Sequence, residues 1–207
     1  MRFTVEATDP GCAARLGRLE LPHGLVETPI FMPVGTQGSV KALSQEDLRD
    51  IGAQIILGNA YHLYLRPGTA LLEEVGGLHR FINWDRPILT DSGGFQIFSL
   101  KGLTKITPDG VTFQSHLDGS RHRFTPESCV DTQWSIGADI IMCLDECTDY
   151  PVTEKVAEKS MRMTIDWAGR CLKRWKERVD GDSRIGGPKS NLFGIVQGNV
   201  YELSLIH

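Results

Sequence analysis

Short apolar runs recur along the chain, and most of them are followed by a polar side chain. The runs AQIILG, RPILT, DIIMCL and NLFGIV lead to Asn59, Asp91, Asp145 and Gln197 in turn. Uninterrupted apolar runs of this length are typical of strands that are buried on both faces of a parallel sheet. Residues 30–34 form a similar run, so the pattern predicts about five parallel strands.

Helical patterns fall between these runs. Ser44 is a predicted N-cap that precedes acidic residues, and a second helix is predicted over residues 68–75. Thr125 is the predicted N-cap of a helix from Pro126 to Ile136, because proline is favoured at the first helical position. Residues 154–179 repeat apolar side chains at helical spacing and predict the longest helix.

Two stretches are predicted to be antiparallel. The segments FTVEAT and ARLGRLEL near the start alternate and are followed by a turn at residues 22–24. After residue 100, Asp-Gly pairs at 109–110 and 118–119 are flanked by β-branched and aromatic residues, which predicts a hairpin insertion.

Strand and helix therefore alternate, which predicts an α/β sheet or a (β/α) barrel. In both architectures ligands bind at the carboxyl ends of the parallel strands. The polar residues that follow the apolar runs are expected to converge there and to form the site.

Composition and charge bound the class of protein. The 207 residues are 41% hydrophobic and 23% charged, with a net charge of −4, so we predict one domain over residues 1–207. An acidic chain does not attract RNA by its overall field, so RNA binding would need a local basic patch. The densest basic run, at 170–178, is better interpreted as the solvated face of a helix.

Cysteine usage and the first residues bear on location. The five cysteines form no CxxC pair, the start MRFTVEATDP has no apolar signal core, and no run reaches the ~20 apolar residues of a membrane span. We therefore expect a cytoplasmic protein with no membrane association.

The stretch from Asp91 to Phe95 suits a flat ligand. A carboxylate that can exchange a proton is followed by Ser92, by Gly93 and Gly94, which allow close backbone approach, and by an aromatic ring that can stack. The alternative, a glycine turn with an aspartate that caps the following helix, accounts for the same residues equally well.

At its strand end, Asp145 would be partly desolvated unless hydrogen-bond donors contacted its carboxylate. The N1–H and exocyclic amine of a guanine are donors of this kind. Gln197 could read a purine carbonyl, and Asn59 could orient another carboxylate. Taken singly, these two amides are more simply interpreted as groups that satisfy the backbone at a strand end.

Other chemistry-bearing residues are less informative. Cys143 and Cys147 have no nearby third and fourth ligand, so they are predicted to be buried thiols and no metal site is predicted in the chain. His116 and His122 are predicted to be surface residues. The role of His62 stays open between packing near Asn59 and lining the pocket.

Five segments also carry a resemblance to a known family. FMPVGTQ (31–37), GNAYHLYLRPG (58–68), LTDSGGFQIFSL (89–100), DIIMCLDECTDYP (139–151) and LFGIVQG (192–198) resemble the tRNA-guanine transglycosylases, in order and with similar spacing. The resemblance implies a (β/α)8 TIM barrel and exchange of the wobble guanine of tRNA, through a covalent enzyme-RNA intermediate, for a 7-deazaguanine precursor of queuosine.

The resemblance also implies roles for the site residues. Asp91 is the proton-handling acid and base, Phe95 stacks on the base, and Asp145 and Gln197 recognise its polar edge. Asn59 lies close enough to orient the nucleophile. The wording DECTDYP resembles the bacterial branch, which takes 7-aminomethyl-7-deazaguanine.

Parts of the family pattern find no match here. The nucleophilic aspartate and the cysteine and histidine zinc ligands of the family lie downstream of the fifth strand. The chain is therefore expected to be an N-terminal fragment with about five of eight barrel strands and without the zinc-binding subdomain. It is expected to hold no cofactor and to be inactive alone, whereas the resemblance implies that the full-length protein binds zinc and forms a homodimer.

Two alternatives stay open. A non-catalytic accessory or tRNA-binding subunit could share the same fold, although it would have no need of both Asp91 and Asp145. A glycoside hydrolase barrel could use these two carboxylates as its acid pair, but it would normally present more aromatic platforms.

Overall fold

The structure is a computed structural model that describes residues 1–100, 102–182 and 190–202. Within these ranges the chain alternates strands and helices. The strands are β1 (Arg2–Thr8), β2 (Arg15–Leu21), β3 (Gly24–Thr28), β4 (Ile56–Gly58), β5 (Ile88–Thr90), β6 (Thr104–Thr107), β7 (Gly110–Gln114), β8 (Arg121–Phe124), β9 (Ile140–Met142) and β10 (Asn191–Phe193). The helices are α1 (Gln45–Asp50), α2 (Ala60–Leu65), α3 (Thr69–Val75), α4 (Leu78–Ile82), α5 (Gly94–Ser99), α6 (Pro126–Ile136) and α7 (Glu154–Asp180).

The centre of the fold is a parallel sheet with the order β10-β9-β5-β4. Its strands are the four apolar runs that the sequence predicted, and helices connect them, so a mixed α/β fold is confirmed. The sheet is open over the described residues, and closure into a (β/α)8 barrel stays a prediction.

The prediction of a buried strand at residues 30–34 is confirmed only in its parallel pairing. Val34 forms a parallel bridge with Leu57 of β4, where the Leu57 N–H donates to the Pro33 carbonyl at 2.9 Å and the Gly35 N–H donates to the Leu57 carbonyl at 2.7 Å. The segment forms no regular strand and is not buried throughout, since Val34 is 50% exposed. Proline at positions 29 and 33 explains the difference, because a residue without a backbone N–H cannot donate to a strand ladder.

The antiparallel meander β1-β2-β3 covers one end of the parallel sheet. Leu19, Leu21 and Val26 are buried and pack with Ile55, which precedes β4, and with Ile140, the first residue of β9. The meander therefore closes the amino ends of the parallel strands and leaves their carboxyl ends accessible.

The helix signals with caps are confirmed. Ser44 and Asp47 form a capping box at α1, and Thr125 caps α6 with Pro126 in the first turn. The helix predicted over residues 154–179 is α7, one residue longer. Among the described residues, no helix combines the length and the apolar character needed to cross a membrane.

The basic run of α7 is largely engaged within the fold. Arg170 binds Glu127 of α6 through two nitrogens, at 2.7 and 2.8 Å. Arg174 and Arg178 both bind Asp131, one turn further along α6. These ion pairs fix α7 against α6 and support the interpretation of this run as a helix face, not an RNA-binding patch.

The predicted hairpin insertion is a three-stranded meander, β6-β7-β8, that packs on α2. The Tyr61 hydroxyl lies 2.8 Å from His116 Nδ1, and the Tyr64 hydroxyl lies 3.0 Å from His122 Nδ1. His116 is exposed as predicted, whereas His122 is half-buried between Tyr64 and Ser120 and reaches the surface only in part. The two imidazoles attach the insertion to α2.

Candidate functional site

Polar side chains gather at the carboxyl edge of the parallel sheet. Asn59 and Asp91 directly follow β4 and β5, and Asp145 and Gln197 lie in the loops after β9 and β10. The Asn59 amide donates to Asp91 Oδ2, and Gln197 Nε2 lies 2.8 Å from Asp145 Oδ2. The structure therefore brings the four predicted strand-end residues to one edge as two hydrogen-bonded pairs.

The Asp91 carboxylate accepts hydrogen bonds from the start of α2 and from the turn that follows Asp91 itself. Its Oδ1 accepts the backbone N–H groups of Ala60 at 2.8 Å and Gly93 at 3.2 Å. Burial nevertheless raises the pKa of Asp91, and the hydrogen bonds from Asn59, Ala60, Gln96 and Gly93 only partly offset it. A carboxyl group with a raised pKa is better suited to accept and return a proton near neutral pH.

Gln96 adds an acceptor that the sequence did not single out. Its amide contributes to the environment of Asp91, while its Oε1 is buried and has no hydrogen-bond partner among the described residues. A buried acceptor without a donor is costly, so a ligand N–H is a favourable partner for it.

Asp145 is buried, with 8% of its surface exposed, and three side chains donate to it. Ser92 Oγ donates to Oδ1 at 2.7 Å, and Gln197 Nε2 and Cys147 Sγ approach Oδ2 at 2.8 and 3.4 Å. Ser92 Oγ in turn accepts the N–H of Gly94 at 3.0 Å, which fixes the hydroxyl proton on the carboxylate. Because Ser92 follows Asp91 directly, this cluster adjoins the first pair.

The two glycines of the predicted turn are required by close contacts. Gly93 has φ of 78°, in the left-handed region, and a Cβ there would lie 3.2 Å from Tyr61. A Cβ at Gly94 would lie 2.6 Å from Asp145 Oδ1 and 2.7 Å from its carbonyl oxygen. Only glycine lets the backbone approach the buried carboxylate this closely.

Phe95 lies at the start of α5 and is 64% exposed. An exposed ring beside the site is available to stack on a ligand, and the stacking itself stays a prediction. His62, whose role was left open, is half-buried near Asp91 and makes an edge contact with the His116 ring. Burial and the neighbouring His116 lower the pKa of His62, against the opposing effect of Asp91.

The cysteines near the site are protonated thiols. Burial, reinforced by Asp145, raises the pKa of Cys147 to about 12, and burial raises the pKa of Cys143 to about 11. A thiol in this state is a poor nucleophile, and that of Cys147 serves instead as a weak donor to Asp145.

One further cluster of possible metal ligands lies at the opposite end of the sheet. Donor atoms of His23, His79 and Asp139 lie within 4.8 Å of one another, and this is the one such group among the described residues. Asp139 already accepts from His23 Nδ1 at 2.8 Å, from the His23 backbone at 3.1 Å and from the Ile88 N–H at 2.9 Å.

The geometry of this cluster favours a structural role, in which Asp139 connects neighbouring elements, over a metal centre. The two imidazole rings stack face to face at 3.6 Å, so their nitrogens do not aim at a common point. Burial alone would raise the pKa of Asp139, but the hydrogen bonds from His23 and Ile88, together with the His79 imidazole 3.1 Å away, outweigh it and hold the pKa at about 2. The carboxylate joins the β2-β3 turn, α4 and β5.

Comparison with known proteins gives a consistent result. A family profile described as "Queuine tRNA-ribosyltransferase" matches residues 9–204. A protein of that name from Caldanaerobacter subterraneus subsp. tengcongensis is 54% identical over 202 residues, which are 98% of this chain and 52% of the relative. Its namesake from Ruminiclostridium cellulolyticum is 55% identical over 189 residues, 91% of this chain and 48% of the relative. The chain spans about half the length of the curated relatives it matches.

Proposed function

The chain belongs to the queuine tRNA-ribosyltransferase family, and from this premise we propose that it forms the base-recognition half of a tRNA-guanine transglycosylase. The reaction exchanges the wobble guanine of tRNA for 7-aminomethyl-7-deazaguanine. One observation supports the proposal above the others. The buried Asp145 is held between Ser92 and Gln197 from two other strand ends, beside Asp91 with its raised pKa.

Recognition of the base follows from the donors and acceptors at the site. The Asp145 carboxylate can accept from the N1–H and the exocyclic amine of guanine, and the Gln197 amide can donate to its carbonyl. Ser92 and Gly94 keep Asp145 in place while the ligand enters. Phe95 would cover one face of the base, the usual way in which an unpaired RNA base is bound.

Asp91 is proposed to exchange protons with the departing and arriving bases. Cleavage of a glycosidic bond builds positive charge on the ribose, and the leaving base must be protonated. Asn59 and the N–H groups of Ala60 and Gly93 orient the Asp91 carboxyl group, while burial keeps its pKa raised. A pure tRNA-binding subunit would gain nothing from this environment.

Other parts of the proposal rest on the family resemblance. No residue of the chain matches the family's nucleophilic aspartate or its zinc ligands, so we expect residues 1–207 to bind the base without exchanging it. The (β/α)8 barrel, the covalent enzyme-RNA intermediate, the zinc site and the homodimer are proposed for the full-length protein on the same ground.

Calorimetric titration of the chain with guanine and with 7-aminomethyl-7-deazaguanine tests the recognition step. Loss of a charged hydrogen-bond acceptor should weaken binding of both bases by about 10- to 100-fold in Asp145→Asn. Glu127→Gln makes the same chemical change on α6, away from the site, and should bind as the unchanged chain does. Equal affinities for the two variants would contradict the assignment of Asp145.

A second assay addresses the reaction. The chain is incubated with tRNA and labelled guanine, and label in the tRNA is counted. We expect none. Robust incorporation would show that a nucleophile lies within these residues, and Asp145→Ala and Glu146→Ala would then identify which carboxylate supplies it.

A further inference from the structure

The insertion β6-β7-β8 has one apolar face and one basic face. Val111, Phe113 and Phe124 point inward and are buried. The alternate positions point outward, and the exposed side chains there include Lys105, Thr112, Arg121 and Arg123. Lys105 is paired in register with Thr112, and Thr112 with Arg123, so two cations flank the central strand in one row.

The strands of this face carry no acidic residue. The two carboxylates of the insertion, Asp109 and Asp118, lie in its turns and not on its strands. Lys105, Arg121 and Arg123 form no ion pair within 4.0 Å in the part of the chain that the structure describes. The charged residues on the three strands are thus all cations, in a chain with a net charge of −4.

The other exposed antiparallel sheet of the same chain shows the ordinary arrangement. On the outer face of β1-β2-β3, Arg18 forms an ion pair with Glu6 at 3.2 Å and lies in register with Glu27. Arg2 lies in register with Glu20. A sheet face that serves only to keep the protein hydrated mixes charges in this way, so the uniform sign on the insertion calls for a separate explanation.

The insertion that carries the basic face is attached to elements of the candidate site. The insertion follows α5, which begins at Gly94, and it packs on α2, which begins beside Asn59. Tyr61 connects the two regions directly, because its hydroxyl contacts His116 of the insertion and its backbone adjoins Gly93. A groove of about 340 Å³ opens on the insertion and is lined in part by Lys105 and Arg121.

We propose that this face, formed by Lys105, Arg121 and Arg123, binds the phosphate backbone of the RNA whose base enters the site. The inference rests on the proposed function and adds to it a surface that positions the RNA. Lysine and arginine on an exposed sheet fit a polyanion, and phosphate contacts fix register and orientation without reading sequence. The overall acidic charge would then limit binding elsewhere on the chain.

The test measures binding of a fluorescent anticodon stem-loop RNA with a wobble guanine, over a series of salt concentrations. The variant carries Lys105→Gln, Arg121→Gln and Arg123→Gln. Its matched control carries Arg2→Gln, Arg15→Gln and Arg18→Gln on the exposed strands β1 and β2, with the same change in charge. These exposed substitutions should leave the thermal unfolding of both proteins close to that of the unchanged chain.

Each lost phosphate contact lowers the slope of log affinity against log salt by about 0.7 to 0.9, so the insertion variant should lose about 2 in slope and about tenfold or more in affinity. The control variant should follow the unchanged chain. Binding of guanine, measured by calorimetry, should be the same in all three proteins, since none of the changed residues lies in the base site.

Photocrosslinking gives a second readout that does not depend on charge. Thr112→p-benzoylphenylalanine in the middle of the basic face should crosslink to the RNA, and Thr4→p-benzoylphenylalanine on the other sheet should not. If the chain binds guanine and RNA but the two triple variants behave alike, or if Thr4 crosslinks as well as Thr112, the surface is refuted and the proposed function stands. If the chain binds guanine but not RNA, the surface is likewise refuted. If it binds neither, the proposed function fails with it.

Discussion

Replacement of Asp139 by asparagine should cost stability in a way that depends on pH. The carboxylate is fully buried and accepts three hydrogen bonds from His23 and Ile88, with His79 Nε2 at 3.1 Å but outside hydrogen-bond alignment. These contacts hold its pKa at about 2, against an ordinary value of 3.8. That difference corresponds to roughly 2 kcal/mol of stability.

The sign of the pH dependence follows from the direction of the shift. A carboxyl group whose pKa is lowered on folding contributes its full stabilisation above its unfolded pKa of 3.8 and loses it as the pH falls through 2. We therefore expect Asp139→Asn to lower the free energy of unfolding by about 2 to 3 kcal/mol at pH 7. The difference from the unchanged chain should narrow between pH 4 and pH 2.

Urea unfolding monitored by circular dichroism at several pH values measures this. Glu127→Gln is an informative control, because the pKa of Glu127 is also lowered to about 2, through its hydrogen bonds with Arg170. Its side chain is 41% exposed, so solvent screens the pair and the loss should stay below about 1 kcal/mol. If both variants lose the same stability, or if the effect of Asp139→Asn does not change with pH, then the buried contacts of the Asp139 carboxylate are not the source of its stabilisation.

Three further outcomes are expected. Gly94→Ala should weaken guanine binding in calorimetry by at least about tenfold, because its methyl group would displace the Asp145 carboxylate that it meets at 2.6 Å. After brief iodoacetamide treatment at pH 8, mass spectrometry should find the exposed Cys12 alkylated and Cys147 unmodified, because the pKa of Cys147 is raised to about 12. Equal labelling of the two cysteines would contradict the raised pKa of Cys147. Tyr64→Phe should lower the urea midpoint by the equivalent of about 1 kcal/mol, since it removes the hydroxyl contact between α2 and the insertion.

The elements that could be predicted from the sequence are those with local signals. The ends of α6 follow from Thr125, Pro126 and the glycine after Ile136, all within a few residues of the boundaries they determine. The parallel strands follow from apolar runs bounded by polar residues. The short helices α2, α4 and α5 were not predicted, because five or six residues are too few to show a helical period.

The candidate site could be predicted as a set of strand ends but not as a network. Position after a buried strand was enough to select Asn59, Asp91, Asp145 and Gln197. Their pairing was not accessible, because the two partners of each pair are separated by 32 and 52 residues. The acceptor left on Gln96 was missed for the same reason, since its lack of a partner is a property of the packed fold.

Two carboxylates at opposite ends of the parallel strands show how one sheet can separate stability from chemistry. Asp91 and Asp139 are both largely removed from water, and both accept backbone N–H groups. At Asp139 the His23 imidazole donates a further hydrogen bond, the His79 imidazole lies 3.1 Å away, and the pKa falls to about 2, so the group is ionised at neutral pH. At Asp91 the donors are neutral amides, burial prevails, and the pKa rises. The difference lies in the partners and not in the depth. The amino end of the sheet therefore carries a fixed charge, while the carboxyl end holds a carboxyl group whose raised pKa suits it better to proton exchange.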